Sequence, residues 1–282
     1  MKFGLIGHPI AHSLSPALFK AGFAGRYPYE LIETPYFEEA YQIFLNEYDG
    51  INVTAPFKEL ALKKADIISE ECNLVGATNL LIKTPEGVKA HNSDYLGVRE
   101  WLYGVVAGLE RTPVAPFGAL LPPAARGVAR FLNLQQHQMR HVLIVGIGGA
   151  GKAAAAAARA LGMETVVLNR TIYSDEIKPL SCFREEFRKA DIVIYNLPVR
   201  IPELDTLTNE DFAAGRPKHI LEANYRNPSF DNELIQKMLH ANPDATYTEG
   251  QVWLLLQAVT GYEIFTGETP DESSMKEVIK SK

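Results

Sequence analysis

Residues 141–162 read HVLIVGIGGAGKAAAAAARALG. His141 to Val145 is an apolar run of strand length. Gly146, Gly148 and Gly151 follow in G-x-G-x-x-G spacing. Lys152 to Leu161 then predicts a helix, with alanine, the best helix former, from Ala153 to Ala158. An apolar strand, a glycine turn and a helix make the opening unit of a parallel α/β sheet. In such a turn the first glycine bends the chain, the second lets a pyrophosphate approach the backbone, and the third lets helix and strand touch. The amides of Gly149, Ala150 and Gly151 would then face the anion at the helix start. The segment is therefore read as a dinucleotide turn, with a plain structural turn as the competing reading.

The next strand, Thr165 to Leu168, runs into Asn169, Arg170 and Thr171. A site selective for NAD usually carries an acidic residue here, to accept from the ribose 2′-hydroxyl. Arg170 is cationic and suits a 2′-phosphate, which favours NADP. A solvated surface arginine is the alternative. Asp191 to Tyr195 and His219 to Glu222 repeat the strand pattern, and Gln251 to Phe265 reads as a strongly apolar helix.

Working back toward the N-terminus, the alternation continues. Phe3–Ile6, Tyr29–Glu33, Gly50–Val53 and Asn79–Ile82 read as strands. Ala17–Ala24, Phe37–Tyr48 and Lys58–Ser69 read as helices. This predicts a second α/β layer with a largely parallel sheet. Residues 103–140 carry Pro113, Pro116, Pro122 and Pro123. A helix, a proline-broken loop and a second helix would fit there.

At 282 residues the chain is long enough for two domains. Its 46% hydrophobic and 22% charged residues are those of a globular protein, and its net charge of -6 offers no footprint for nucleic acid. No apolar run is long enough to span a bilayer, and the N-terminus lacks a signal-peptide pattern, so the cytoplasm is the expected address. The two cysteines, Cys72 and Cys182, lack CxxC spacing and are expected as buried thiols. No histidine cluster suggests a metal.

Three N-terminal segments carry the chemistry-bearing residues: GHPIAHSLSP with Ser13 and Ser15, INVTAPFKE with Asn52, Thr54 and Lys58, and GATNLL with HNSDYLG, holding Asn79, Asn92 and Asp94. Each residue alone has a plain reading. Ser15 before Pro16 and Asp94 can cap helices, and Lys58 can be a solvated helix residue.

Taken together with GIGGAGKA, NRT and the late GQVWLLLQA, these segments resemble the shikimate dehydrogenase family, in the family's order and across nearly the whole chain. The resemblance implies an N-terminal substrate-binding α/β domain (1–98), a Rossmann-like NADP-binding domain (99–249), and C-terminal helices (250–282) returning to the substrate domain. It implies an active site in the cleft between the domains. The implied reaction is the NADP-dependent interconversion of 3-dehydroshikimate and shikimate, a step toward chorismate and the aromatic amino acids.

By position, Lys58 and Asp94 match the family's catalytic pair. Ser13 and Ser15 match the residues that hold the shikimate carboxylate. Thr54, Asn79, Tyr225 and Gln257 match further substrate contacts. Gly146, Gly148, Gly149, Ala150, Gly151, Asn169, Arg170, Thr171 and Gly250 fall on the cofactor side. The expected partner is a small molecule, with no nucleic acid or membrane, and the expected assembly is a monomer or homodimer.

Four features depart from the family pattern. The linker between Asp94 and Gly146 is long, and the loop Tyr195–Arg200 reads YNLPVR. Val252 and Trp253 stand where Gly and Met are usual, and Gly151 is the sixth residue of the turn. The alternatives these leave open are a quinate/shikimate dehydrogenase using NAD, and a relative that binds without catalysing.

Overall fold

The structure is a computed structural model that describes residues 1–107, 140–212 and 217–281. It divides into two compact α/β units, Met1–Gly97 with Leu255–Lys282, and Val98–Leu254.

The first unit carries strands β1 (Phe3–Gly7), β2 (Tyr29–Glu33), β3 (Gly50–Val53), β4 (Ile67–Ile68), β5 (Leu80–Thr84) and β6 (Gly87–His91). Their spatial order is β2-β1-β3-β5-β6-β4. Its helices are α1 (Ser15–Gly22), α2 (Phe37–Glu47), α3 (Lys58–Lys63) and α4 (Glu70–Val75). Helix α5 (Ser93–Val106) begins in it. Ile6, Phe37, Phe44, Ile51, Phe57 and Leu81 form one side of its core.

The sheet is less parallel than the alternation predicts, because β5 pairs antiparallel with both β3 and β6. The helical spacing of Lys58–Ser69 also overruns. Helix α3 ends at Lys63, and the chain then pairs with β6 through Asp66 N–H to Val88 O and Val88 N–H to Asp66 Oδ2, both 2.8 Å. A tertiary strand partner overrides local helix propensity here.

The second unit holds β7 (His141–Val145), α6 (Gly149–Ala160), β8 (Glu164–Asn169) and β9 (Ile177–Pro179). A 3-10 turn (Leu180–Cys182) leads into α7 (Phe183–Lys189) and β10 (Ile192–Tyr195). The short helices α8 (Pro202–Asp205) and α9 (Asn209–Phe212) follow. Then come β11 (His219–Glu222), α10 (Asn232–Ala241) and β12 (Thr246–Thr248). The sheet order is β12-β11-β10-β7-β8-β9, and every pairing is parallel. Strand β7 is apolar throughout because a parallel sheet is covered on both faces. The alanines of α6 are 3% exposed or less at positions 153, 154, 155, 157 and 158.

Helix α11 (Gly250–Thr266) starts in the second unit and ends in the first, and α12 (Glu272–Lys280) completes the first. Cys72 is buried as expected, whereas Cys182 is half-buried, because it sits in the short turn ahead of α7 rather than in the core. The expected helices and loop of residues 108–139 lie outside the described residues. No helix among the described residues is long and apolar enough to cross a membrane.

Candidate active site

Lys58 is the first residue of α3, and Asp94 lies in the first turn of α5. Their side chains meet, Lys58 Nζ donating to Asp94 Oδ2 at 2.5 Å. The ammonium side chain is 21% exposed and the carboxylate 16%. The pair is thus neither a fully solvated surface bridge nor a sealed one. A carboxylate at a helix N-terminus also faces the positive end of the helix dipole.

The two turns that carry the pair are cross-linked. Thr78 N–H donates to Lys58 O at 3.2 Å. The buried Thr78 hydroxyl bonds Leu80 O at 2.8 Å and His91 O at 2.7 Å. Asn92 caps α5, its Oδ1 accepting from Tyr95 N–H at 3.0 Å while its Nδ2 donates to Ala77 O at 2.9 Å. Glu71 Oε1 accepts from His91 Nδ1 at 2.9 Å. Burial alone would raise the Glu71 carboxyl, but hydrogen bonds from His91 and Ser69 outweigh it and hold it at about 2.

Asn79 is 4% exposed. Its Oδ1 accepts from Ser93 N–H at 2.7 Å, and its Nδ2 donates to Ser93 Oγ at 3.0 Å. Ser93 Oγ in turn reaches Gln257 Oε1 at 3.1 Å. Gln257 comes this close because Gly97 has no side chain. A Cβ at Gly97 would lie 2.7 Å from Gln257 N.

Thr54 follows β3 directly and is half-buried, with its N–H donating to Ile6 O at 3.0 Å. Ser13 and Ser15 form their own pair, Oγ to Oγ 3.1 Å, and Ser15 N–H donates to Ser13 Oγ at 3.2 Å. Ser15 is not a helix cap, since Leu14 occupies that position and Ser15 is already helical.

The first unit therefore brings together Lys58 with Asp94, Ser13 with Ser15, and Asn79 with Gln257. Tyr225 is in the second unit, in the segment after β11, with the Arg226 guanidinium 5.6 Å from its ring. That segment is braced from below. The buried Glu222 carboxylate accepts from the amides of Ser229 and Phe230 and from Tyr247 OH, the last at 2.8 Å. Burial raises the Glu222 carboxyl despite these bonds. The unusual Tyr195–Arg200 loop joins the same brace, through Arg200 to Ser229 O and Asp205 and through Asn224 Nδ2 to Pro198 O. Trp253, 4% exposed, is a core side chain.

The residues expected on the cofactor side lie in the second unit. Gly146 has φ +93°, a backbone conformation suited to glycine. A Cβ on Gly151 would fall 2.0 Å from Gly146 O, so the turn closes only with glycine there. Gly148 has nothing within 4 Å of where a Cβ would stand, which leaves its backbone open to a ligand. Gly149 and Ala150 open helix α6. Asn169 ends β8, its Nδ2 donating to Thr171 O at 2.9 Å. Arg170 and Thr171 are exposed. A Cβ on Gly250 would meet Glu222 O and Ala223 O at 2.6 Å. An open glycine turn on a helix start, next to an exposed guanidinium, fits a phosphorylated dinucleotide.

Sequence reasoning missed Ser93, Gly97, Tyr29 and Tyr262. Ser93 stands in the quoted NSD motif, so its place beside Asp94 was the available signal. Gly97 closes the quoted HNSDYLG segment, whereas Tyr29 and Tyr262 have no local signal.

Comparison with known proteins gives a consistent set of relatives. Residues 5–81 match the family model of the shikimate dehydrogenase substrate binding domain. Residues 126–247 match the D-isomer specific 2-hydroxyacid dehydrogenase NAD binding domain. A shikimate dehydrogenase (NADP(+)) of Legionella pneumophila is 31% identical over 183 residues, an alignment covering 62% of this chain and 58% of that protein. One from Caldanaerobacter subterraneus subsp. tengcongensis is 28% identical over 304 residues, covering 99% of this chain and 96% of that protein. The fold matches the crystal structure of shikimate 5-dehydrogenase from Thermus thermophilus in complex with NADP(H) and shikimate. The TM-score is 0.72 at 24% identity, covering 100% of this chain and 99% of that one.

Proposed function

The chain belongs to the shikimate dehydrogenase family, and from that membership we propose that it interconverts 3-dehydroshikimate and shikimate with NADP as cofactor. The single observation that carries this reading is the Lys58–Asp94 pair, assembled from two separate sequence motifs at 2.5 Å.

Reducing a ring ketone places a hydride on carbon and a proton on oxygen. NADPH, when bound, supplies the hydride. Lys58 then stabilises the developing alkoxide and donates the proton, and in the oxidation direction it takes the proton back. Asp94 accepts one ammonium hydrogen bond, which fixes where the remaining N–H groups point. Ser13 and Ser15 hold the substrate carboxylate, and Thr54 and Gln257 contact ring hydroxyls. Asn79 acts mainly through Ser93, since its amide is already bonded to that residue. A site built to hydrogen-bond a polyhydroxylated ring rejects analogues that leave its polar groups unpaired.

On the cofactor side, Gly146, Gly148, Gly149, Ala150 and Gly151 receive the pyrophosphate. Arg170, flanked by Asn169 and Thr171, reads the 2′-phosphate, and Gly250 lets the start of α11 pack against the backbone at the end of β11. We place the protein in the cytoplasm, as a monomer or homodimer acting on a small molecule, in the pathway to the aromatic amino acids.

The test is absorbance at 340 nm with purified protein and four pairs, shikimate or quinate with NADP or NAD. The expected result is the highest kcat/KM for shikimate with NADP. A preference for quinate with NAD would replace this reading with the quinate one.

A further inference from the structure

Two tyrosines outside every quoted motif close around the Ser13–Ser15 pair. Phe19, one turn along α1 from Ser15, is wedged between them. Its ring lies 4.8 Å from that of Tyr29 and 4.7 Å from that of Tyr262, and the two phenol rings are 6.2 Å apart. Phe19 is fully buried and Tyr262 is 2% exposed, so this wedge is part of the core. Tyr262 OH donates to Ser15 O at 3.2 Å. Tyr29 OH donates to Asn52 Oδ1 at 2.7 Å, and Asn52 Nδ2 donates to Asn79 O at 3.3 Å.

A phenol in a core normally keeps its hydrogen-bond partner, because losing it leaves a buried polar group unpaired. Here the partners are the peptide of Ser15 and the side chain of Asn52, both within the substrate-side motifs. Burial pushes the Tyr29 hydroxyl well above its usual range, with Tyr262 adding to the shift and the Ser15 hydroxyl opposing it. Burial raises Tyr262 likewise, again opposed by the Ser15 hydroxyl. Both phenols therefore remain neutral donors at any physiological pH. The Ser15 side chain consequently has neighbours of fixed protonation on the Tyr29 and Tyr262 sides, and Ser13 Oγ on another.

We infer that Tyr262 and Tyr29 are positioning residues for the substrate carboxylate, holding Ser15 and Asn52 so that the serine pair is set before substrate arrives. This rests on the proposed dehydrogenase reading and deepens it. The role is confined to one end of the substrate, the carboxylate, and does not extend to the reacting carbon. It therefore separates KM from kcat.

The test compares wild type, Tyr262→Phe and Tyr29→Phe with shikimate and with shikimate methyl ester, whose carboxylate charge is removed. For both variants the expected change is a rise of about three- to tenfold in shikimate KM, the size of one lost neutral hydrogen bond. The kcat and the NADP KM should stay within about twofold of wild type. The preference for shikimate over its methyl ester should fall by the same factor as KM rises. Thermal melting accompanies each assay. Should Tyr262→Phe fail to fold, Tyr29→Phe, on the edge strand β2, still decides the matter. Equal losses on both substrates, a loss in kcat alone, or wild-type constants in the variants would each overturn the inference. Wild-type protein that does not oxidise shikimate at all would instead overturn the dehydrogenase reading, and this inference with it.

Discussion

Lys58 and Asp94 are 36 positions apart in the chain, and their charged groups meet at 2.5 Å. The contact depends on the cross-link between the Thr78 turn and the Asn92 turn rather than on any local sequence. Asp94→Asn keeps the shape and removes the charge. We expect kcat to fall by roughly a hundredfold or more, the size of a lost electrostatic contact at a reacting centre, with little change in shikimate KM. Steady-state rates at 340 nm check this, and an unchanged kcat would mean that the carboxylate does not orient the ammonium.

Arg170 is exposed at the end of β8 and makes no ion pair with the described residues. Arg170→Ala should raise the NADP KM by about tenfold or more, the value of a charge-assisted hydrogen bond, and leave the NAD constants nearly unchanged. Parallel titrations with NADP and NAD measure it. Equal changes for both would mean that Arg170 does not read the 2′-phosphate.

The glycine turn separates packing from binding. Gly151→Ala places a Cβ 2.0 Å from Gly146 O and should destabilise the second unit by about 1–3 kcal/mol. Gly148→Ala meets nothing within 4 Å, so it should leave the melting temperature near wild type. It should nonetheless weaken NADP binding, because its methyl group occupies the approach to the backbone. Calorimetric melting and NADP titration distinguish the two. Equal melting temperatures for both variants would contradict the close approach at Gly151.

His219 gives a pH signature. It is 7% exposed, with its Nδ1 2.9 Å from Thr246 Oγ1. Burial, reinforced by Arg140 and partly offset by Asp191, lowers it to about 4. The unfolded chain binds this proton at about 6.5, so it protonates first as pH falls. Stability from this group is therefore full above about pH 6.5 and declines down to about pH 4, by roughly 3 kcal/mol in total. Denaturant titrations across that window should show wild type losing more stability than His219→Gln. Parallel curves would exclude the histidine as the cause.

Much of this was legible in sequence for identifiable reasons. The β7–turn–α6 unit shows itself because a strand covered on both faces must be apolar throughout, and because its turn tolerates only glycine at position 151. The lysine and aspartate were legible as motif members, though not as a contact. The β5–β6 hairpin was missed although its turn, Thr84-Pro85-Glu86-Gly87, carries proline and glycine and β6 alternates in burial; β5, whose first residues are buried on both faces, shows no such alternation. The end of α3 was missed because a strand partner in β6, rather than a helix-breaking residue, stops it. The contacts of Gly97, Tyr29 and Tyr262 come only from distant neighbours, although Gly97 itself ends a quoted motif: Ser93 meets Gln257 across 164 positions, and Tyr262 meets Ser15 across 247. No window of sequence contains such a pair.

The most direct measurement is the rate of shikimate oxidation with saturating NADP, followed at 340 nm, for wild type and Lys58→Ala. The account predicts a steady wild-type rate and a kcat lower by roughly 10²–10⁴ in the variant, with shikimate KM little changed. A Lys58→Ala protein that turns over shikimate at a rate near wild type would contradict it.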